Sequence, residues 1–516
     1  MATIVVVGWN LRARDKAYGP WQARRPRRYD RNLVVIGAGA GGLVSAAIAA
    51  GLQARVTLVE ARQMGGDCLN HGCIPSKALA YHAKLAHQMR QAMHNDLIDS
   101  VPPLRFDAVM RQVRQAIANI APHDSATRYA ALGVEVLHGN AKLIDPWTVE
   151  ITGADDAVHR LTTRSIILAT GAIPAVPPIA GLTETCYLTS DTLWRRLEEL
   201  SAPPCRLLVL GGGAIGCELA QALARLGSQV TLLEEQNHLL ASYGDEEVSD
   251  WVHASLKDEG IQVLLGQKAL RFEHDADCKT LVLAGKSQER RLQFDEILCA
   301  TGRQPRLYGY GLEKLGLIQQ DTLATGSNLQ TCLPHIFVVG DVVGPWRFTH
   351  AAAQQAWHAT VNALSEGLAH SHFDANLIPR VVFIDPEVAQ AGLTERQALS
   401  QAVAYELIRF DLAELDRAIC EGCARGFVKV LTMPGKDRIL GVTIVGQHAG
   451  ELLAEFCLAM QHGLGLKAVL RTVHAYPTFS EANRLAAGQW RRQNLPSHLL
   501  PWLQRMHRWR RGSGND

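Results

Sequence analysis

The chain has 516 residues, of which 47% are hydrophobic and 20% are charged. This length is too great for one hydrophobic core and favours about three or four domains of ordinary globular composition. The formal net charge is only +2, and the body of the chain is acidic because residues 1–30 and 487–516 carry the basic excess. That distribution excludes nucleic-acid binding over the whole surface.

The sequence predicts neither export nor a membrane span. The apolar run at residues 4–7 is short and is followed by Arg-rich sequence, so residues 1–30 are interpreted as a disordered basic extension. Most of the eleven cysteines are scattered singly, which predicts a cytoplasmic protein with reduced thiols. The uncharged stretch 33–54 is long enough to span a bilayer, but its glycine cluster and the strand-like VTLVE that follows argue against a span.

Two glycine-rich turns, in LVVIGAGAGG and LLVLGGGAIG, share one plan. Each follows an apolar strand and precedes a helix, and 23 residues after its first glycine a second strand ends in an acid, Glu60 or Glu234. The glycines allow a tight turn, close approach to a pyrophosphate and helix packing, while the acid binds a ribose diol. The sequence therefore predicts two dinucleotide sites, with Gly37, Gly39 and Gly42 in the first and Gly211, Gly213 and Gly216 in the second.

Further strand ends support a duplicated α/β plan. IILATGAIP, with Thr170 and Gly171, and ILCATGRQP each close a unit, and IFVVGDVVG places Asp341 just past a strand, where a polar ligand group is held in such sheets. No Lys or Arg occurs between Glu234 and Lys257. A 2′-phosphate would find no basic partner in that segment, so the second site is predicted to prefer NADH, with NADPH possible.

Cys68 and Cys73 lie in GGDCLNHGCIPSKAL, five positions apart. In a regular helix this separation is ~7.5 Å along the axis, more than a disulfide tolerates. The turn is therefore predicted to be irregular, as Gly72 and Pro75 permit. A helix that continues from about Ser76 would place Cys73 near its N-terminus, where a thiolate is favoured.

The segment GGDCLNHGCIPSK resembles the redox-active disulfide of the class I flavoprotein disulfide reductases, the family of dihydrolipoamide dehydrogenase, glutathione reductase and mercuric reductase. The resemblance extends from about residue 30 to about residue 490 and includes the order of the motifs. It implies an α/β fold with two Rossmann-like domains, for FAD and NAD(P), a C-terminal α+β dimerisation domain and a homodimer. The implied division is 1–30 basic extension, 31–177 and 301–377 FAD domain, 178–300 NAD(P) domain, 378–490 interface domain and 491–516 basic amphipathic tail.

The resemblance also implies roles for individual residues. Cys73 would face the flavin as a thiolate, and Cys68 would exchange with the substrate. Lys77 and Glu218, from GCELA, match the family's ion pair near the flavin, and Asp341 matches its flavin-contacting aspartate. Electrons would pass from the nicotinamide through the flavin to the Cys68/Cys73 disulfide, and then to an external disulfide or soft-metal acceptor.

The motif HAYPTFSE departs from the disulfide reductases, because Tyr476 replaces the histidine that precedes the proline, while Glu481 keeps the position of the paired glutamate. Tyrosine titrates near ~10 and histidine near ~6.5, so Tyr476 is a poor base at neutral pH. Tyrosine here is similar to mercuric reductases, although the chain shows neither their N-terminal metal-binding domain nor their terminal cysteine pair. Dihydrolipoyl dehydrogenase is the rival interpretation, and His474 is an alternative base.

Two C-terminal features leave alternatives open. Cys420 and Cys423 form a CxxC that is either a pair of bystander thiols or a dithiol relay to Cys68, and one such pair cannot complete a zinc site, so no metal site is predicted. The tail SHLLPWLQRMHRWRR has apolar residues at helical spacing with arginines between them. It predicts either a helix packed on the dimer or a helix that docks on a membrane or protein partner of a redox sensor or electron-delivery module.

Overall fold

The computed structural model describes residues 18–275, 278–284, 288–365, 371–496 and 499–512. These residues form two compact units. The first extends to Leu239 and also includes Val252–Ala375, and the second comprises Leu240–Trp251 and the chain from Asn376 onward. Both parallel sheets lie in the first unit, so the boundaries at 178 and 300 between the two nucleotide-binding domains remain a prediction.

The first parallel sheet contains the strands on either side of the first glycine turn. Its strands are strongly apolar and buried, as expected when helices cover both faces of a sheet. Helices Ala40–Gly51 and Thr349–Ser365 pack against each other beside it. The parallel strands follow the order Glu135–His138, Val56–Glu60, Arg31–Ile36, Val158–Leu168 and Ile336–Val338, and Asn140–Asp145 and Thr148–Thr152 extend the sheet in antiparallel fashion.

The second parallel sheet repeats this plan around the second glycine turn. Strand Arg206–Leu210 leads through the turn into helix Ala214–Leu226 and then into strand Gln229–Glu234. The strand order is Gln262–Leu265, Gln229–Glu234, Arg206–Leu210 and Glu296–Cys299, next to an antiparallel sheet of Ala269–Asp275, Cys278–Leu283 and Arg290–Phe294. The predicted duplication of a strand-turn-helix-strand unit is thereby confirmed.

Shorter elements complete the first unit. The helices are Gly66–Asn70, Cys73–His94, Phe106–Ile120, Ala126–Ala131 and Leu193–Glu198, with 3₁₀ turns at Gly19–Arg24, Ala121–Asp124, Thr183–Thr185 and Gly340–Val342. Two small antiparallel pairs join Ala172–Pro174 to Arg303–Pro305 and Ile318–Gln319 to Thr322–Leu323.

The described part of the N-terminal extension is packed, which corrects the prediction of disorder for residues 18–30. Tyr18 is only 4% exposed, and its ring lies 4.8 Å from that of Trp147 and 5.3 Å from that of His335. The Tyr18 hydroxyl and His335 Nδ1 are 3.0 Å apart. Burial of an aromatic side chain whose hydroxyl is hydrogen-bonded stabilises the docking of this segment. Residues 1–17 of the predicted extension lie outside the described residues.

The C-terminal unit is an antiparallel sheet covered by helices, as predicted for an α+β domain. The strand order is Arg380–Val382, Glu387–Gly392, Ile439–Gly446, Phe427–Thr432 and Glu406–Asp411. Helices Ala449–Gln461 and Glu481–Gln493 bury Phe456 and Trp490 in its core. The other helices are Glu246–Asp258, which begins in this unit, Glu395–Ser400, Asp416–Cys420, Leu466–Arg471 and Leu499–Arg510, with 3₁₀ turns at Ala241–Tyr243 and Leu412–Glu414.

Across the described ranges, no helix has both the length and the apolar character that a membrane span needs. The uncharged stretch 33–54 is divided instead between strand Arg31–Ile36 and helix Ala40–Gly51.

Candidate active site

The first glycine turn has a backbone that excludes larger side chains. Gly37 adopts a φ of +101°, and a Cβ there would lie 2.3 Å from the Ala169 carbonyl oxygen. A Cβ on Gly42 would lie 1.8 Å from the Gly37 carbonyl oxygen. The turn thus brings backbone against backbone and aims the N-terminus of helix Ala40–Gly51 outward from Gly39, which suits a phosphate group.

A cavity of about 560 Å³ opens beside this turn. Glu60 fixes its rim, since its carboxylate accepts hydrogen bonds from the amides of Ala38 at 2.6 Å and Arg62 at 2.7 Å. The predicted residues Gly37, Gly39, Glu60, Thr170 and Gly171 all line the cavity. A glycine cradle with an acid at the rim fits the phosphates and ribose of a flavin dinucleotide.

The second turn reproduces this geometry. Gly211 has a φ of +103°, and a Cβ on Gly216 would lie 1.9 Å from the Gly211 carbonyl oxygen. Helix Ala214–Leu226 begins after Gly213. Glu234 accepts hydrogen bonds from the amides of Gly212 at 2.6 Å and Gln236 at 2.8 Å. The residue two positions after the acid is Arg62 in the first copy and Gln236 in the second, and the preference for NADH over NADPH stays a prediction.

Gly42→Ala is expected to abolish flavin binding, because its Cβ would require the first turn to move. The matched control is Gly51→Ala, at the last residue of the same helix, where a Cβ meets no atom within 4 Å. Flavin content per protomer after purification measures the effect. Full flavin content in Gly42→Ala would contradict the assignment of this turn.

The cysteine pair is carried by two helices with a break between them. Cys68 lies in helix Gly66–Asn70, and Cys73 is the first residue of helix Cys73–His94. The turn is irregular, as predicted. The Gly72 amide donates a hydrogen bond to the Asp67 carbonyl oxygen at 2.6 Å, five residues earlier. The helix begins three residues before the predicted Ser76, since proline is tolerated in a first turn, where its missing N–H is not needed.

The surroundings of Cys73 favour its thiolate. Hydrogen bonding from Cys68 lowers the pKa of Cys73 to about 6, and Thr349 and the positive charge of Lys77 act in the same direction against the effect of burial. The Thr349 hydroxyl lies 3.3 Å from Cys73 Sγ. The pKa of Cys68 is raised, mainly by its hydrogen bond to Cys73 and by burial. The reduced pair therefore holds its proton on Cys68 and its charge on Cys73.

Cys73 in the reduced protein is expected to react with iodoacetamide at a rate that rises with a midpoint near pH 6, because its thiolate forms above its lowered pKa of about 6. Cys457, whose pKa burial raises to about 11, is the control and should react slowly over the same range. Peptide mass spectrometry assigns each site. A Cys73 midpoint near the ordinary thiol value would contradict the arrangement.

The predicted ion pair is present. Lys77 Nζ lies 2.7 Å from Glu218 Oε2 and joins helix Cys73–His94 to helix Ala214–Leu226. Asp341 follows strand Ile336–Val338, with a carboxylate oxygen 3.8 Å from Arg303 Nε, and burial raises the pKa of Asp341.

Three contacts at the cysteine pair were not predicted. Thr349 approaches Cys73 from the first residue of helix Thr349–Ser365, which follows the IFVVGDVVG segment. Arg303 binds Asp67 beside Cys68, and Trp194 Nε1 donates to the His71 carbonyl oxygen at 2.8 Å. Of these three residues, only Arg303 could have been recognised from the sequence, because it is the basic residue that follows ATG in ILCATGRQP.

The HAYPTFSE motif lies in the second unit, and its tyrosine is hydrogen-bonded to an acid outside the motif. The Tyr476 hydroxyl donates to Asp416 Oδ2 at 2.9 Å, and this hydrogen bond raises the pKa of Tyr476. The Tyr476 residue is 71% exposed. Glu481 is buried, and its carboxylate accepts a hydrogen bond from Arg484 at 3.2 Å. The acid hydrogen-bonded to the phenol is therefore Asp416, and not Glu481 as the sequence order suggested.

His474 is held at both ring nitrogens. Nδ1 lies 3.0 Å from the Thr472 carbonyl oxygen, and Nε2 lies 3.1 Å from each Glu455 carboxylate oxygen. Asn483 Nδ2 donates to the same carboxylate at 2.8 Å. Both ring nitrogens of His474 therefore already face hydrogen-bonding oxygens of the protein itself.

Comparison with known proteins identifies the family. The chain matches the pyridine nucleotide-disulphide oxidoreductase family over residues 31–356 and the dimerisation domain of that family over residues 378–487. It therefore belongs to the pyridine nucleotide-disulphide oxidoreductases. It is an oxidoreductase of an FAD- and NAD(P)-dependent family, and its dimerisation domain supports a homodimer.

Individual relatives cover nearly all of the chain. It is 35% identical over 486 residues to a dihydrolipoyl dehydrogenase of Thermus scotoductus, covering 92% of this chain and 99% of that protein. It is 31% identical over 459 residues to a mercuric reductase of Streptomyces lividans, covering 88% and 95%. Its fold matches LpdA from Mycobacterium tuberculosis with a TM-score of 0.80 at 25% identity, covering 89% of this chain and 99% of that one.

Proposed function

We propose that this protein transfers electrons from NAD(P)H, with NADH preferred, to a Cys68/Cys73 disulfide and from there to a disulfide or soft-metal acceptor. The observation that carries the proposal is the Cys73 thiol, which has a lowered pKa and lies at a helix N-terminus against Cys68 and Thr349. Bound FAD would supply two-electron transfer between nicotinamide and disulfide. The first glycine turn, Thr170, Gly171, Asp341 and the Lys77–Glu218 pair would bind and orient it.

Cys68 is the residue that would exchange with the acceptor. After reduction of the disulfide, Cys68 carries the proton and Cys73 the charge, so Cys68 must lose its proton before it attacks an external sulfur or binds a soft metal ion. In the homodimer, Tyr476 and Glu481 would serve this exchange in the partner subunit. The protein would act in the cytoplasm.

The C-terminal motif favours an acceptor that needs thiolates more than a general base. The hydrogen bond from Tyr476 to Asp416 raises the pKa of the phenol, which therefore stays protonated at neutral pH. Both ring nitrogens of His474 contact oxygens of the protein itself. A soft metal ion such as Hg(II) displaces the thiol proton of Cys68 to water as it binds the sulfur, so it needs no positioned base. This supports the mercuric-reductase-like function. Dihydrolipoyl dehydrogenase is the alternative, supported by the names of seven similar proteins.

Steady-state oxidation of NADH and of NADPH with Hg(II), lipoamide and glutathione disulfide in parallel tests the proposal. Wild type is expected to prefer NADH and to turn over Hg(II) better than the disulfides. Tyr476→His is expected to gain disulfide activity by about 10²-fold, the usual contribution of a positioned general base. Tyr476→Phe is the matched control that removes only the hydroxyl. Efficient lipoamide reduction by wild type would reject the mercuric-like function in favour of the alternative.

The C-terminal tail supports a second candidate, a membrane-docked electron-delivery module. Helix Leu499–Arg510 has no buried residue, with Trp502 57% and Trp509 80% exposed. No Asp or Glu occurs between Glu481 and Asp516, so the helix presents tryptophans and arginines to an anionic lipid surface. Co-sedimentation with anionic and neutral vesicles tests this, with deletion of residues 495–516 as the comparison. Equal sedimentation of both proteins would reject docking through the tail.

A further inference from the structure

The CxxC of the C-terminal unit occupies a defined helix-ending turn. Cys420 is the last residue of helix Asp416–Cys420, and Gly422 follows with a φ of +66°. The Gly422 amide donates to the Ile419 carbonyl oxygen at 3.1 Å and the Cys423 amide to that of Ala418 at 2.9 Å. This Schellman pattern folds Cys423 back over the last turn of the helix that carries Cys420.

The two thiols differ in environment. Cys420 is exposed, whereas Cys423 is half-buried against the core of the unit. Neither is in a disulfide in the structure. An exposed sulfur next to a shielded one is the arrangement in which an external thiolate attacks one sulfur and the other leaves, because access determines which sulfur is attacked.

The same short helix binds the HAYPTFSE motif. Asp416, one helical turn before Cys420 and on the same face, accepts the hydrogen bond of the Tyr476 hydroxyl at 2.9 Å. Cys420 is also among the groups that raise the pKa of Tyr476, after Asp416 and Glu481. The thiol, the carboxylate and the phenol therefore share one surface of the C-terminal unit.

We propose that Cys420 and Cys423 form a second redox-active dithiol, which accepts electrons from the Cys68/Cys73 pair in the homodimer and passes them to external disulfides. This inference rests on the proposed function, because it uses the exchange proposed for Cys68 and the service that Tyr476 is proposed to give to the cysteines of the partner subunit.

The exchange balances in electrons and protons. The Cys68 thiolate attacks the Cys420 sulfur of an oxidised Cys420–Cys423 disulfide, and Cys423 leaves as a thiolate. The Cys73 thiolate then attacks Cys68 in the mixed disulfide, releases Cys420 and closes Cys68–Cys73. Two electrons move to the second pair, which takes up the protons that the first pair gives up. The new dithiol reduces an external disulfide to two thiols by the same two attacks.

Differential alkylation with peptide mass spectrometry on the flavin-loaded homodimer tests the proposal. After diamide oxidation, a Cys420–Cys423 disulfide is expected, and anaerobic NADH should open it in wild type. In Cys68→Ser the disulfide should stay closed with NADH and open with dithiothreitol. Absence of the disulfide would overturn the proposal, and so would its persistence when NADH has opened Cys68–Cys73. If NADH leaves Cys68–Cys73 closed, the proposed function itself fails, and a separate peptide reports that result.

An anaerobic NADH titration gives an independent measurement. Wild type is expected to consume one more two-electron equivalent per protomer than Cys420→Ser and Cys423→Ser. Cys332→Ser, which removes another exposed thiol, is the matched control and should consume as much as wild type. Equal NADH consumption by all four proteins would overturn the proposal that Cys420 and Cys423 accept electrons, even if their disulfide forms.

Discussion

Cys68→Ser and Cys73→Ser are each expected to lower NADH-dependent reduction of any acceptor by about 10³-fold or more, the scale on which loss of a reacting nucleophile acts. A serine hydroxyl cannot form the disulfide that stores the electron pair. The two variants should lose activity equally, because neither sulfur can close the disulfide alone. Initial rates with saturating NADH, per bound flavin, measure the effect.

Two controls separate this loss from damage to the fold. Flavin content should be unchanged in both variants, since neither cysteine lines the cavity beside the first glycine turn. Cys457→Ser removes another half-buried thiol, far along the sequence from the pair, and should retain wild-type rates. Turnover within tenfold of wild type in either active-site variant would show that the acceptor takes its electrons elsewhere.

Lys429→Met is expected to destabilise the C-terminal unit by about 3–5 kcal/mol, the usual cost of breaking a buried ion pair. Lys429 is 1% exposed, and its Nζ lies 2.7 Å from Glu247, 2.9 Å from Glu395 and 3.1 Å from Asp245. Burial by itself lowers the pKa of Lys429, but these carboxylates outweigh it and raise that pKa. Without the ammonium, three clustered carboxylates would face one another.

The midpoint of urea unfolding, followed by tryptophan fluorescence, measures this loss. Lys436→Met, at an exposed lysine of the same unit, is the control and should change stability by less than about 0.5 kcal/mol. Asp245→Asn in the Lys429→Met background should recover part of the loss, because it removes one buried negative charge. If Lys429→Met by itself were as stable as wild type, the three carboxylates would have to be neutralised by other means.

The parts of the fold that sequence predicts well are those encoded locally. Both turns lie where their glycines and acids were found, because a positive φ and a Cβ clash within a few residues exclude other side chains. The docking of Tyr18 could not be predicted, since its hydrogen-bond partner His335 lies 317 positions away. A basic composition indicates a solvated extension, and only tertiary structure reveals the aromatic contact.

The candidate site shows the same division. Cys68, Cys73 and Lys77 were recognisable from one short motif, but Thr349, 276 positions from Cys73, carries no signal of its own. Asp416 was missed because sequence order offered Glu481 as the nearest acid to Tyr476. Glu455, which contacts His474, was missed because it lies 19 positions before that histidine, outside the motif.

The acids of the two glycine turns bear on attempts to change nucleotide preference. Both oxygens of Glu60 and both of Glu234 accept hydrogen bonds from backbone amides of their own loops. An engineer who replaced Glu234 to admit a phosphorylated ribose would also release the amides of Gly212 and Gln236, and with them the shape of the loop. Redesign for NADPH should therefore introduce arginine at position 236, where the first copy has Arg62, and replace Glu234 only by a neutral residue that still accepts a hydrogen bond, such as glutamine.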